Sequence, residues 1–193
     1  MNGSGLEALN DTVRSCRNCR LSESRTNALC GEGNPEAELM LVAQAPGEKE
    51  DKEGRMFIGP SGKVLDKLLQ RVGIDRAELY MTNLVKCMLP KYRRPKRDEI
   101  EACSGYLDAE IAAVQPKIIA PLGYYASRQI LEKYGFDVPP KQRFHELFGT
   151  VFTAGEIRII PLQHPAAMLH NPAFEGEMVK NYRRLKTLLE GCG

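Results

Sequence analysis

The chain has no uninterrupted apolar run of the roughly 18 residues that a membrane-spanning helix needs. Its first thirty positions are broken by Asp11, Arg14, Arg17 and Arg20, which excludes the apolar core of a secretory leader; a cytoplasmic protein is expected. Internal repeats, low-complexity tracts and a linker are missing as well. The 193 residues are therefore expected to form one domain, 1–193, large enough to bury a core without help from metal or disulfides. Strong charge of either sign is lacking too. A net charge of +2 and an isoelectric point near 8.2 are too mild to establish a polyanionic partner.

Acidic residues are absent from one stretch in particular. Between positions 86 and 97 stand Lys86, Lys91, Arg93, Arg94, Lys96 and Arg97, interrupted by Pro90, Tyr92 and Pro95. This reads as an exposed cationic loop, and short loops of this kind are also common on surfaces that bind nothing.

What is present is an alternation of short apolar runs with helical patterns. Glu38–Ala45 is nearly continuous in small apolar residues and bounded by Pro35 and Pro46-Gly47, the signature of a strand buried on both faces. Comparable runs recur at Leu79–Leu84, Lys117–Leu122 and Arg158–Leu162, with helical patterns at Lys63–Val72, Glu99–Val114, Ala126–Tyr134 and Glu177–Leu189 between and after them. That order predicts a three-layer α/β/α fold around a central, mainly parallel four-stranded sheet. Ligands bind such sheets at the carboxyl ends of the strands, so the segments of interest are Ala45-Pro46-Gly47, Asn83–Lys86, Gly123-Tyr124 and Gln163-His164-Pro165. Gly135–Glu146 reads as a surface excursion.

Six cysteines stand at 16, 19, 30, 87, 103 and 192. Cys16 and Cys19 form a C-x2-C pair able to chelate one metal, Cys87 follows a strand, and Cys103 falls within a helical pattern. Four thiolates suit zinc or an iron–sulfur cluster rather than a hard cation. Disulfides do not fit a cytoplasmic chain of this size, and a redox C-x-x-C belongs at a helix start after a strand. Cys30 and Cys192 read as free thiols.

Several motifs occur in a telling order: the C-x2-C pair, Ala-Pro-Gly-Glu-Lys-Glu-Asp at 45–51, Gly-Arg-Met-Phe-Ile-Gly-Pro-Ser-Gly at 54–62, Thr-Asn-Leu-Val-Lys-Cys at 82–87, Cys103, and His-Pro-Ala-Ala-Met-Leu-His-Asn-Pro at 164–172. In these the chain resembles the family 4 uracil-DNA glycosylases, the iron–sulfur branch of the uracil-DNA glycosylase superfamily, from about Cys16 to the C-terminal helix. The resemblance implies a monomeric DNA-repair enzyme acting on uracil in single- or double-stranded DNA, with a structural [4Fe–4S] cluster on Cys16, Cys19, Cys87 and Cys103. A cluster there would fix the basic loop, where Arg93 and Arg94 could meet phosphates.

A base inside a duplex is out of reach, so the nucleotide must be rotated into a pocket. By resemblance Phe57 is the stacking ring, Ala45 part of the pocket wall, Asn83 the reader that donates to uracil O4 and accepts from N3–H, and His164 the donor to uracil O2 as charge develops. Cytosine presents the opposite pattern to Asn83 and would leave buried polar groups unpaired. Two departures from the family stand out. Ala43-Gln44 replaces a Gly-Glu whose carboxylate is credited with a catalytic role, and His170 replaces a common Arg at the DNA-facing wedge. Gln44 cannot act as a base, so either Glu50 or Asp51 positions the water, or leaving-group stabilisation dominates, or activity is weakened or redirected to another damaged base. A DNA-binding iron–sulfur protein without efficient catalysis is the corresponding rival. The run Gly59–Lys63 is no P-loop, because Val64 stands where Ser or Thr is required and Phe57 where the first Gly belongs; Ser61 and Gly62 instead read as a helix start presenting N–H groups to a DNA phosphate.

Overall fold

The computed structural model describes residues 2–191, the side chains of residues 2–4 and 92 left aside. The strands are β1 (Glu32–Gly33), β2 (Leu39–Ala43), β3 (Leu79–Asn83), β4 (Ile118–Pro121), β5 (Phe152–Ala154) and β6 (Ile157–Ile159); the α-helices are α1 (Asn2–Ser15), α2 (Glu48–Glu53), α3 (Pro60–Val72), α4 (Arg97–Val114), α5 (Gly123–Lys133), α6 (Ala166–His170) and α7 (Glu175–Glu190). Strand order is β1-β3-β2-β4-β6-β5. The four inner strands are the expected parallel set, with Leu39 opposite both Leu79 and Ile118, and Ile118 opposite Arg158.

The sheet has six strands, not the four expected. The additions are antiparallel edges, β1 on β3 and β5 on β6. Each is two or three residues long and incompletely buried, too short for an apolar alternation to register in the sequence.

Alternation along the inner strands separates two cores. Met40, Val42, Tyr80 and Ile119 face a layer containing α1, α4 and α5, with Val13, Leu107 and Ile130 buried against them. Leu39, Leu41, Met81, Ile118 and Ala120 face α3 and α7, against Leu65, Leu69, Met178 and Tyr182. The helix α1 follows Leu6, Leu9 and Val13 and was not anticipated. It packs on α4. The 135–146 segment is more than an excursion: the 3-10 turn Lys141–Leu147 buries Phe144, whose ring meets those of Tyr124 and Phe148 at 4.9 and 5.5 Å.

Because β3 lies on one side of β2 and β4 on the other, the chain reverses its winding at β2. The carboxyl ends of these strands splay apart there and leave a crevice.

Candidate active site and cysteine centre

A cleft of about 960 Å³ opens at that crevice, and its wall includes Ala43 at the end of β2, Gln44 and Ala45 just after it, Asn83 at the end of β3, Phe57 and His164. Glu50, Ser61, Arg93 and His170 also reach it. Of the sequence-predicted site residues outside the cysteines, Asp51, Gly62 and Arg94 do not line this space.

Phe57 has φ of +51°, a left-handed conformation that costs a bulky residue of order 1–3 kcal/mol and recurs at ligand sites. Its ring centroid lies 6.4 Å from that of His164, tilted by 31°. Gly62 explains how the turn closes. A Cβ there would stand 1.8 Å from the Phe57 carbonyl oxygen, so only glycine lets the first turn of α3 pack against the Phe57 backbone. Gly62 is buried and shapes the site from below, while Ser61 is half-buried and meets the cleft.

Asn83 is 2 % exposed, and among the described residues its amide nitrogen reaches only the Met56 sulfur, at 3.2 Å. A thioether is a weak acceptor. A buried amide so poorly matched is ready to exchange that contact for a better one.

The imidazole of His164 is fixed in kind as well as in place. Its Nδ1 lies 3.1 Å from the Ala166 backbone nitrogen; an N–H can only donate, so Nδ1 accepts and the proton of the neutral ring is on Nε2. Burial lowers its pKa from 6.5 to about 4, against a smaller opposing pull from Glu50, so the ring is neutral at physiological pH. Gly123, at φ +82°, lies close enough that a Cβ would come within 3.1 Å of the His164 Cβ. The preceding Gln163 is tied to α7 through Glu177 and Asn181 at 2.9 and 3.0 Å, which anchors the backbone just before the histidine.

The two carboxylates considered for water have different surroundings. Asp51, one of the two expected from the sequence to position water, is 3 % exposed, accepts from the backbone nitrogens of Thr26 and Asn27 and is not part of the cleft wall, so it is a structural staple instead. Glu50 accepts from Gly59 N at 2.7 Å through one oxygen and faces the cleft. The Gln44 side chain has no hydrogen-bond partner among the described residues, and its backbone oxygen accepts from Val85 N at 3.1 Å.

The basic stretch does not form one exposed loop. Lys86 is 1 % exposed, its ammonium 2.6 Å from both Thr82 Oγ1 and Glu110 Oε2. It is a buried ion pair between the strand end and α4, which the linear charge pattern could not distinguish from a surface lysine. Arg93 forks onto buried Glu99 at 2.8 and 2.5 Å, and Glu99 also caps α4 by accepting from Lys96 N. Arg97 pairs with Glu101. Arg94 is exposed, and its guanidinium has no partner among the described residues.

Cys16, Cys19, Cys87 and Cys103 share one region beyond the carboxyl end of β3. Cys87 lies within electrostatic reach of Cys16, Cys19 and Cys103. Cys87 and Cys103 are buried, and burial pushes the Cys103 thiol up to about 11 and the Cys87 thiol up as well, Arg25 opposing the latter. Among the described residues no three of His, Cys, Asp or Glu stand together as a single-ion site. The chemistry of the donor set fits an iron–sulfur cluster: it is all sulfur, and N–H donors reach two of the sulfurs. Arg25 donates to Cys87 Sγ at 3.2 Å and to the Cys16 carbonyl at 2.6 Å, and Asn18 N approaches Cys16 Sγ at 3.5 Å. Such bonds tune cluster thiolates. Cys30 stands apart, its thiol donating to the Asn10 carbonyl. Cys192 lies outside the described residues.

Arg25, Met56 and the Lys86–Glu110 pair escaped the sequence reading. Met56 and Lys86 had a signal in their places within the 54–62 and 82–87 motifs, whereas Arg25 and Glu110 had none.

A fold and cleft of this kind define a base-excising DNA glycosylase class, and residues 30–186 match the family model of the uracil DNA glycosylase superfamily. The chain is 41 % identical over 186 residues to a type-4 uracil-DNA glycosylase of Sulfurisphaera tokodaii, covering 95 % of this chain and 84 % of that one. It is 34 % identical to the type-4 enzyme of Archaeoglobus fulgidus, with 97 % and 95 % covered, and 34 % identical to that of Thermotoga maritima, with 88 % and 86 % covered. The chain belongs to the uracil-DNA glycosylase superfamily, in its type-4 branch.

Proposed function

We propose that this protein hydrolyses the N-glycosidic bond of deoxyuridine in DNA, releasing uracil and leaving an abasic site. The observation that carries the reading is His164: a neutral ring whose tautomer leaves Nε2–H as donor, in the same cleft as a strained aromatic ring and an under-partnered amide.

In this reading the rotated uracil stacks on Phe57 beside the wall formed by Ala45. The Asn83 amide gives up its sulfur contact, donates to O4 and accepts from N3–H. As the C1′–N1 bond breaks, its electron pair moves onto the base, and Nε2–H of His164 donates to O2, where much of that charge accumulates. A preorganised donor of this kind contributes on the order of 3 kcal/mol. Glu50 supplies negative charge facing the cationic sugar, the side-chain carbonyl of Gln44 orients the water whose oxygen bonds to C1′, and the proton that this water sheds neutralises the departing uracil anion. Leaving-group stabilisation carries most of the rate, since an amide cannot take the water's proton. Ser61 and Gly62 at the start of α3, Arg94 and His170 are the groups we assign to DNA, and Arg93 acts there with its charge already matched by Glu99.

The cysteine centre belongs to the same reading. Cys16, Cys19, Cys87 and Cys103 are the residues that would hold a [4Fe–4S] cluster, which when bound supplies a covalent cross-link between the N-terminal segment, the end of β3 and α4. Arg25 and Asn18 orient two of the sulfurs. The expectations of a monomer and of a cytoplasmic site of action remain part of this proposal.

Excision from oligonucleotides carrying one uracil tests the function. Alkali-sensitive abasic sites at the uracil position support it. Tight binding without excision by cluster-loaded protein overturns it in favour of a DNA-binding role.

A further inference from the structure

The left-handed Phe57 sits in a turn that is held from outside the cleft. Arg76 donates from one guanidinium nitrogen to the Met56 carbonyl at 2.8 Å and from another to the Phe57 carbonyl at 3.2 Å. The second of these nitrogens also lies 2.5 Å from Asp66 on α3. Glu32, at the sheet edge, accepts from Met56 N at 2.9 Å through one oxygen while its other oxygen takes the Arg55 guanidinium at 2.9 and 2.7 Å. Arg76 and Asp66 line a separate hollow that also contains Phe57 and Ile58, and neither is part of the cleft wall.

We infer that Arg76 is a positioning residue for base recognition: acting through the two peptide carbonyls it grips, it keeps Phe57 in the strained conformation that presents its ring to the flipped base. The physical need is specific. A bulky residue at positive φ reverts to an unstrained conformation unless its surroundings over-determine it. The hydrogen bonds are charge-assisted, and a planar fork fixes two adjacent carbonyls at once, which an ammonium cannot reproduce. Arg76 touches neither the base nor DNA in this arrangement; it governs how often the stacking face is in place before the base arrives, so it acts on a pre-equilibrium. The inference rests on the reading of Phe57 as the stacking face.

The test is a double-mutant cycle on the cluster-loaded protein, with Arg76→Ala, Phe57→Ala and the pair, read by single-turnover excision and by inhibition with free uracil. Arg76→Ala is expected to slow excision and weaken uracil inhibition by about tenfold each, the penalty that removal of such backbone support carries. Binding of an oligonucleotide without uracil stays unchanged. In the Phe57→Ala background, Arg76→Ala has no further effect, because the ring through which it acts is gone. Arg76→Lys recovers only part of the loss. Losses that multiply in the double mutant, or an equal fall in affinity for uracil-free DNA, overturn the inference while leaving Phe57 as the stacking face. Parental excision by Phe57→Ala alone removes the stacking reading itself. Should Arg76→Ala fail to fold, Arg76→Gln, which is shorter but keeps most of the apolar stem and one amide donor group, takes its place in the same cycle.

Discussion

His164 makes a quantitative prediction about stability that does not depend on any substrate. Burial lowers its pKa from 6.5 to about 4, with Glu50 pulling weakly the other way. Between these values the unfolded chain binds a proton that the folded chain refuses, so the folded state loses stability as pH falls from about 6.5 to about 4, and the effect vanishes above that window. At 1.36 kcal/mol per pKa unit, the loss approaches roughly 3 kcal/mol at its acid limit and about 2.5 kcal/mol near pH 4.5. The perturbation is His164→Gln, which removes the titration. Urea unfolding of both cluster-loaded proteins at a series of pH values gives the stabilities by linear extrapolation. Carboxylates and cysteines are common to the two, so their acid losses cancel to first order in the difference. The parent is expected to lose about 2 to 3 kcal/mol relative to the variant between about pH 7.5 and pH 4.5. Curves that stay parallel across the window would mean that His164 titrates near its ordinary value, and the argument for a neutral donor would go with it.

Gln44→Glu is expected to change single-turnover excision by less than about tenfold, because leaving-group stabilisation carries the rate; a gain of 100-fold or more, typical of a restored general base, contradicts that. Lys86→Met strands Glu110 inside the protein and is expected to cost about 3–5 kcal/mol in urea unfolding, whereas a cost below about 1 kcal/mol would show a pair that water reaches. Cys87→Ala is expected to abolish bound iron and the brown visible absorbance, and unchanged iron content would remove Cys87 from the ligand set.

The parallel heart of the fold was legible because β2 and β4 are apolar on both faces and bounded by Pro and Gly, and because β3 opens on a short apolar run. The edge strands were not, since residues such as Glu32 and Gly33 pair through backbone alone. In the site, the residues carried by contiguous motifs converge as expected: Gln44, Ala45, Glu50, Phe57, Asn83 and His164 all meet in one cleft. What the sequence could not convey is pairing over distance. Lys86 looks like one more surface cation until Glu110, 24 residues on, is seen to neutralise it. Asp51 looks like a candidate base until the backbone of Thr26 and Asn27 occupies its oxygens. Arg76 has no local signal at all, for its partners are peptide carbonyls about twenty residues away.

The most direct test of the account is single-turnover treatment of labelled oligonucleotides bearing one uracil, in single strands and opposite A or G, with His164→Ala run beside the parent. The account predicts abasic sites at uracil and nowhere else for the parent, and for His164→Ala a fall in excision of roughly 100-fold or more with DNA affinity retained. Absence of excision by the cluster-loaded parent, or equal losses of excision and DNA binding in the variant, would contradict it.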